Sequence, residues 1–378
     1  MKKKVVVGLS GGVDSAVSAY LLQEQGYEVI GLFMRNWDSA ANGDILGNPS
    51  LTEEICPQEQ DYLDAKKVAD HLDIKLYRHD FIKEYWDYVF TYFIEEHKKN
   101  RTPNPDILCN KYVKFAGFQE VALGLGADYF AYGHYARTKE VDGEYQLLRG
   151  VDNNKDQTYF LSQLNQKQLE KSLFPVGGLN KKEVREIAVK NNIPTALKKD
   201  STGICFIGER DFKNFLKNYI FSQPGDIKTL NGETIGRHDG LMYYTIGQRK
   251  GLLIGGDSRF QQAPWFVIGK DIENNVLLAG QGFHHPNLYA NRVIVEDVNW
   301  IGVKKFTGTL ECTAKFRYRQ EDNLVMIKWL DNNRLEVITN KPVRAITPGQ
   351  AAVFYLGDVC LGGGTIDEVY QNQQKLQY

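Results

Sequence analysis

The chain has 378 residues, 42% of them hydrophobic and 25% charged, with 46 basic side chains against 47 acidic ones. That length exceeds one ordinary core and points to two or three domains. The near-zero charge balance excludes a uniformly basic coat while leaving room for a local basic patch, and no apolar run is long enough to span a bilayer, so no membrane association is expected.

Val5-Val6-Val7 is a β-branched run of the kind buried on both faces of a parallel sheet. The basic residues before it and the shortness of the run do not fit a signal peptide, so a cytoplasmic protein is expected. A Gly-rich turn follows, then a helix over about Asp14 to Gln25 stopped by Gly26, then a strand over Glu28 to Met34. This βαβ unit predicts an α/β, doubly wound parallel sheet of Rossmann-like type. Residues 35–57 read as a long loop, the kind that is functional or mobile. Beyond it the pattern gives a helix from about Gln58, a strand near Ile74 to Tyr77 and an aromatic helix from about Phe81 to Lys99. The two prolines of 101–110 interrupt; a helix from about Lys111 to Leu123 and a strand from Asp128 to Tyr132 then lead into Gly133-His134. Val141 to Tyr145 reads as a hairpin with an Asp-Gly turn, and Asn180-Lys181-Lys182-Glu183 as a capping box opening a helix to about Lys190. After a helix over about Asp211 to Tyr219, strands and turns dominate, and the last ninety or so residues alternate like an all-β barrel or sandwich. The expected organisation is a nucleotide-binding domain over 1–209, a small central α+β domain over 210–284 and a C-terminal β-barrel over 285–378.

Gly8-Leu9-Ser10-Gly11-Gly12-Val13-Asp14-Ser15 lies between the first strand and the first helix. Its glycines let the backbone approach a ligand, the helix N-terminus offers free N–H groups, and Ser10 and Ser15 add hydroxyls. Asp14 is placed to hold the Mg²⁺ that accompanies nucleotide phosphates. The Gly-Lys-Ser/Thr ending of a Walker A loop is missing, and no GxGxxG is present here. The bland alternative is an ordinary strand-to-helix turn.

This loop resembles the phosphate loop of the PP-loop ATP pyrophosphatases. Further segments narrow the resemblance: Asn104-Pro105-Asp106 with Cys109, Gly133-His134-Tyr135, Lys155-Asp156-Gln157, Asp200 to Gly208, and Tyr244 to Leu252. Together, in this order and across essentially the whole chain, they resemble the tRNA-specific 2-thiouridylase family. The resemblance implies ATP-dependent 2-thiolation of the wobble uridine of tRNA, with Cys109 as nucleophile, Cys205 as the persulfide carrier and a disulfide between them during turnover. It implies ATP and Mg²⁺ as cofactors, tRNA as a partner, and a sulfurtransferase or cysteine desulfurase as sulfur donor. Met34 and Gly133 would line the adenine side of the ATP site; Met34 by itself reads as core. Asn104, Pro105 and Asp106 would meet the target base, flipped from its stack. His134, Lys155, Asp156, Gln157, Arg317, Tyr318 and Gln350 would contact tRNA, although His134 also suits a hydrogen-bonded core position.

The residues themselves add to this. Cys109 is expected just before a helix beginning near Lys111, where the helix end and nearby Lys111 and Lys114 would favour a thiolate. Cys205 follows Lys198 and Lys199 on a Gly-containing loop. Either cysteine alone reads as structural; two on cationic loops beside an ATP loop favour catalysis. Cys56, Cys312 and Cys360 read as bland thiols, and an iron–sulfur site is a minor alternative, because too few ligands are at hand. Lys315, Arg317 and Arg319 are expected on one face of a strand, suited to phosphates, with a solvated barrel face as the equal alternative. Two competing functions remain open: another PP-loop reaction on a small molecule, and an ATP-regulated RNA-binding module without catalysis.

Overall fold

A computed structural model describes residues 2–52, 55–200, 207, 210–255, 260–331 and 333–378. Cys205 therefore lies outside the described residues, and so does most of the segment around it. The N-terminal sheet contains β1 (Lys4–Gly8), β2 (Glu28–Arg35), β3 (Lys75–Asp80) and β4 (Tyr129–Ala131). After the hairpin of β5 (Ala136–Val141) and β6 (Glu144–Arg149) comes its last strand, β7 (Ser172–Leu173). All five of its strands run parallel in the order β3-β2-β1-β4-β7. The order reverses direction at β1, so a crevice opens between the C-terminal ends of β1 and β4, where open α/β sheets bind ligands.

Helices cover both faces. α1 (Val13–Glu24), α2 (Pro57–His71) and the helix Lys181–Lys190 bury Val17, Leu22, Val68 and Val184 against one face of the sheet. The other face packs Val6, Leu32 and Met34 against the aromatic helix of residues 82–98 and the helix of residues 105–124. The capping box forms as expected, with Asn180 and Glu183 each satisfying the other's backbone N–H. The Asp142-Gly143 turn also forms, both residues having positive φ (51° and 80°).

Two sequence expectations, the start of the helix carrying Cys109 and the extent of the strand at Lys315, are corrected. The helix carrying Cys109 begins at Pro105, not near Lys111, because proline at the first helical position sacrifices no hydrogen bond. The loop of residues 36–52 is organised around a buried carboxylate: Asp44 accepts from Trp37, Asn48 and Arg210. The strand at Lys315 ends there, so Lys315, Arg317 and Arg319 do not share a strand face.

The central unit is a mixed four-stranded sheet of β8 (Gly225–Lys228), β9 (Thr234–His238), β10 (Trp265–Asp271) and β11 (Val276–Gln281). The C-terminal strands are β12 (Tyr289–Trp300), β13 (Thr309–Lys315), β14 (Asn323–Trp329), β15 (Leu335–Arg344), β16 (Ala351–Leu356) and β17 (Val359–Gln371). They close into an antiparallel barrel, because β12 pairs with both β15 and β17. Val293, Ala314, Ile327, Val337, Phe354 and Ile366 fill its interior. At Val359 and Cys360, β17 also pairs with β6, so the hairpin that follows β4 extends the barrel wall.

Candidate active site

Gly8 ends β1 and Leu9 is held to β2 by a hydrogen bond from its N–H to the Leu32 carbonyl (3.1 Å). The chain then turns at Gly11, whose φ of +74° suits glycine. A Cβ on Gly11 would stand 2.2 Å from the Asp61 carbonyl oxygen of α2, so the loop also needs glycine for space. Gly12 is the N-cap of α1 and offers no side-chain cap, so the helix's first N–H groups receive nothing from that position. The hydroxyls order the loop from within: the Ser10 N–H donates to Ser15 Oγ (3.2 Å), and Ser15 Oγ donates to the Gly12 carbonyl (3.1 Å). Such an arrangement of glycine backbone, hydroxyls and helix N-terminus suits phosphate oxygens.

Gly133, just after β4, closes the other side of the crevice. A Cβ there would lie 2.8 Å from the Ser15 nitrogen and 2.9 Å from the Asp14 carbonyl carbon. Met34 is buried at the end of β2, with its Cε 3.7 Å from where a Cβ on Gly8 would be. Phe118, farther along the helix of Cys109, closes on the same point at 3.6 Å. The cysteine helix thus packs directly on the strand that launches the phosphate loop.

Asp14 is not a free carboxylate. Tyr135 donates its hydroxyl to Oδ1 at 2.8 Å, and Lys181 Nζ lies 2.7 and 2.8 Å from the two oxygens. Burial, followed by the Asp14 charge, pushes the Tyr135 phenol up, so it remains a donor. Lys181 also contacts Asp200, which in addition takes Lys155 and Arg185. Partial burial alone would raise the Asp200 carboxyl, but hydrogen bonds from Lys155 and Lys181 prevail and hold it at about 2. Sequence reasoning missed Tyr135 and Lys181 as loop partners. The capping box located Lys181 at a helix start, and that was the one signal available. Lys198, one of the two cations preceding Cys205 in sequence, is bound between Asp61 and Asp64 at 2.7 and 2.8 Å.

Cys109 is wholly buried in the helix that Asn104 and Pro105 begin. Lys111, expected to favour a Cys109 thiolate, donates to Gln163 (3.1 Å). Asn104 is the N-cap of this helix without a side-chain cap bond, and the Tyr159 hydroxyl donates to the Ala351 carbonyl of the barrel (3.0 Å). Asp106 accepts the Asn110 side chain on its backbone carbonyl (2.9 Å). The segment before Asn104 is clasped by the β units: Gln350 Nε2 donates to the Thr102 carbonyl (2.8 Å), Thr102 N–H donates to the Pro348 carbonyl (3.1 Å), and Arg101 pairs with Glu296 and Asp367.

The other residues fall into two groups. Asp156 is buried and accepts from the Gly150 N–H and from Thr158, while Gln157 Oε1 accepts from the Tyr135 N–H at 3.0 Å; both order the turn that presents Lys155. The His134 ring is buried among Phe115, Tyr132 and Phe174, and burial, then Lys114, drives its pKa well down. Its Nδ1 has no partner among the described residues, which departs from a hydrogen-bonded core histidine. Arg317 turns inward and donates to the Ile246 carbonyl (2.9 Å) and Thr347 (2.8 Å), while Arg319 is exposed. Tyr318 packs on Phe160 with ring centroids 4.3 Å apart. Burial pushes the thiols of Cys312 and Cys360 up to about 12, as befits inert packing, whereas Cys56 is exposed.

Comparison with known proteins agrees with this architecture. Three family models match in order: a tRNA methyl transferase HUP domain over residues 3–209, a tRNA methyl transferase PRC-barrel domain over 213–281 and an aminomethyltransferase beta-barrel domain over 290–366. A protein of Mycoplasma mycoides subsp. mycoides named tRNA-specific 2-thiouridylase MnmA is 60% identical over 377 residues, covering 98% of this chain and 100% of its own. One of the same name from Listeria innocua is 58% identical over 375 residues, covering 99% and 97%. A solved 4-thiouridine synthetase–RNA complex with bound ATP aligns over 57% of this chain and 50% of its own, with 17% identity and a TM-score of 0.35, too distant to bear on this site. The full-length identity and the matched models show that the chain belongs to the tRNA-specific 2-thiouridylase family.

Proposed function

We propose that this protein is an enzyme that installs sulfur at C2 of the wobble uridine of tRNA, using ATP. Full-length identity to proteins named for that activity carries the reading. The phosphate loop at the switch point, with the Cys109 helix packed on the same strand, supports it.

The C2 carbonyl of uridine is a poor electrophile with a poor leaving group. Attack of its oxygen on the α-phosphorus of ATP releases pyrophosphate and makes AMP the leaving group. The Gly11–Ser15 backbone and hydroxyls would hold the phosphates. Asp14 would receive Mg²⁺, which supplies charge neutralisation; a cation there must replace Lys181. Asn104, Pro105 and Asp106 would meet the flipped base, and His134, Lys155 to Gln157, Arg317, Tyr318 and Gln350 would contact or position the RNA. Cys205 carries a persulfide loaded by a separate sulfurtransferase or cysteine desulfurase. The Cys109 thiolate attacks Cys205 Sγ, the sulfur–sulfur bond breaks, and the outer sulfur departs as sulfide, adds to C2 and expels AMP. The two cysteines are left as a disulfide that an external thiol reduces. We place the working boundaries at 209 and 284, with chemistry in the first unit and the anticodon stem-loop held by the other two. The setting is cytoplasmic; among the described residues no helix is long and apolar enough to cross a membrane.

The test is incubation with ATP, unmodified tRNA, a persulfide-charged sulfurtransferase and a thiol reductant, followed by nucleoside mass spectrometry. 2-Thiouridine is expected with the unaltered chain and not with Cys109→Ser or Cys205→Ser. Its absence with the unaltered chain, or its persistence in both variants, overturns the mechanism.

A further inference from the structure

A chain of alternating charges joins the phosphate loop to the lysine assigned to the RNA side. Asp14 holds Lys181 at 2.7 Å, Lys181 reaches Asp200 Oδ1 at 2.8 Å, and Asp200 Oδ2 takes Lys155 at 2.7 Å. Arg185 adds a contact to Asp200 Oδ1 at 3.1 Å. Lys181 is the shared member, one ammonium serving two carboxylates, and its side chain is only 14% exposed. A single turn sets the spacing: Asp152 accepts the Lys181 N–H on Oδ2 (2.9 Å) and the Asn154 N–H on Oδ1 (3.0 Å), so the starts of the Lys155 turn and the Lys181 helix move together.

Such a shared cation responds to ligands at both ends. An RNA phosphate that draws Lys155 away leaves Asp200 with one cation fewer. Asp200 then competes harder for Lys181 and releases Asp14, the group that would receive the metal arriving with nucleotide phosphates. In the other direction, a metal at Asp14 displaces Lys181 onto Asp200 and frees Lys155 for a phosphate. The two effects have the same sign, as linkage between two binding equilibria requires.

We propose that Asp200 is a coupling residue which, by exchanging Lys155 for Lys181, makes RNA binding and nucleotide binding reinforce each other. This inference rests on the ATP and tRNA reading above. Asp200 touches neither ligand in it and acts only by positioning the two lysines.

The experiment measures affinity for a non-hydrolysable ATP analogue with Mg²⁺ by calorimetry, on the full chain, with and without saturating unmodified tRNA. The unaltered chain is expected to bind the analogue about fivefold or more tightly when tRNA is present. Asp200→Asn is expected to bring that ratio to within about twofold of unity. Lys155→Met, which removes the RNA-side cation, is expected to raise analogue affinity without tRNA toward the tRNA-bound value of the unaltered chain. A clasp with only a structural role would weaken both ligands in Asp200→Asn and leave the ratio intact, which overturns the proposal, as does no ratio in the unaltered chain. Should Asp200→Asn fail to fold, the Lys155→Met affinity decides alone, and an unchanged value refutes the coupling. If the unaltered chain binds neither ligand, the functional reading falls with it; if both bind and the ratio survives Asp200→Asn, only this inference falls.

Discussion

Replacing Gly133 with alanine tests whether the crevice is set by backbone contact between β4 and the phosphate loop. The added methyl would sit 2.8 Å from the Ser15 nitrogen and 2.9 Å from the Asp14 carbonyl carbon. Ordinary contact begins near 3.4 Å, so one of the two backbones must move by about 0.6 Å. Neither partner is the flexible end of a side chain. The Ser15 nitrogen belongs to the first turn of α1, and moving that turn disturbs the N–H groups that would meet phosphates. Overpacking of this kind costs about 1–3 kcal/mol. If the strain falls mainly on the loop in its ligand-binding shape, each 1.4 kcal/mol is about tenfold in affinity. Gly133→Ala should therefore weaken binding of Mg²⁺ and a non-hydrolysable ATP analogue by about tenfold or more in calorimetry, with a melting temperature lower by a few degrees. Gly178→Ala, where a Cβ meets nothing within 4 Å, is the matched control and should change neither. Unchanged affinity and melting in Gly133→Ala would refute the reasoning.

Three other outcomes follow from the same geometry. Lys270 is buried, donates to the Asn100 carbonyl at 2.6 Å, and burial pushes its amine down from 10.5 to about 7. Between those values the unfolded chain binds the extra proton, so this group's contribution to stability rises with pH from about 7 toward 10.5. The penalty is fully present below about 7 and corresponds to ~5 kcal/mol, against ~1–3 kcal/mol for leaving the carbonyl unpaired. Lys270→Met should therefore melt above the unaltered chain at pH 7, with the gap narrowing toward pH 10; a gap independent of pH contradicts this. Iodoacetamide with peptide mapping should label the exposed Cys56 at least tenfold faster than the buried Cys312 and Cys360, and comparable rates would contradict the packing. Gln350→Ala removes the donor to the Thr102 carbonyl and should cost about 1–2 kcal/mol in kcat/KM for thiolation, through kcat, as the Asn104 segment loosens. A change confined to KM would mark Gln350 as a simple RNA contact.

The parts of the fold readable in the sequence were those governed by near neighbours. The β-branched run of β1, the glycine loop, the capping box at Asn180 and the Asp-Gly hairpin each follow from a few adjacent residues. The helix over 105–124 was misplaced at its start because two prolines read as a break, yet Pro105 sits where helices accept proline. The strand at Lys315 was extended too far, since alternation continues for a few residues into a turn that sends Arg317 inward. Pairs distant in sequence left no local trace: Lys181 with Asp14, Arg210 with Asp44, Gln350 with Thr102. Asp156 and Gln157 carry the composition of a surface motif, and only the fold shows that Asp156 binds its own turn and Gln157 the backbone of Tyr135.

The pairing of β6 with β17 carries a consequence for how the chain reaches this shape. β6 is made well before its partner residues Val359 and Cys360. That edge of the hairpin must therefore wait until the start of β17 has been made, and loop closure over that span makes for slow docking. Conversely, a fragment containing only the barrel would expose the start of β17 as an open edge, inviting pairing with another copy. Fragments that separate β6 from β17 should for that reason be more aggregation-prone than the sizes of their own cores suggest.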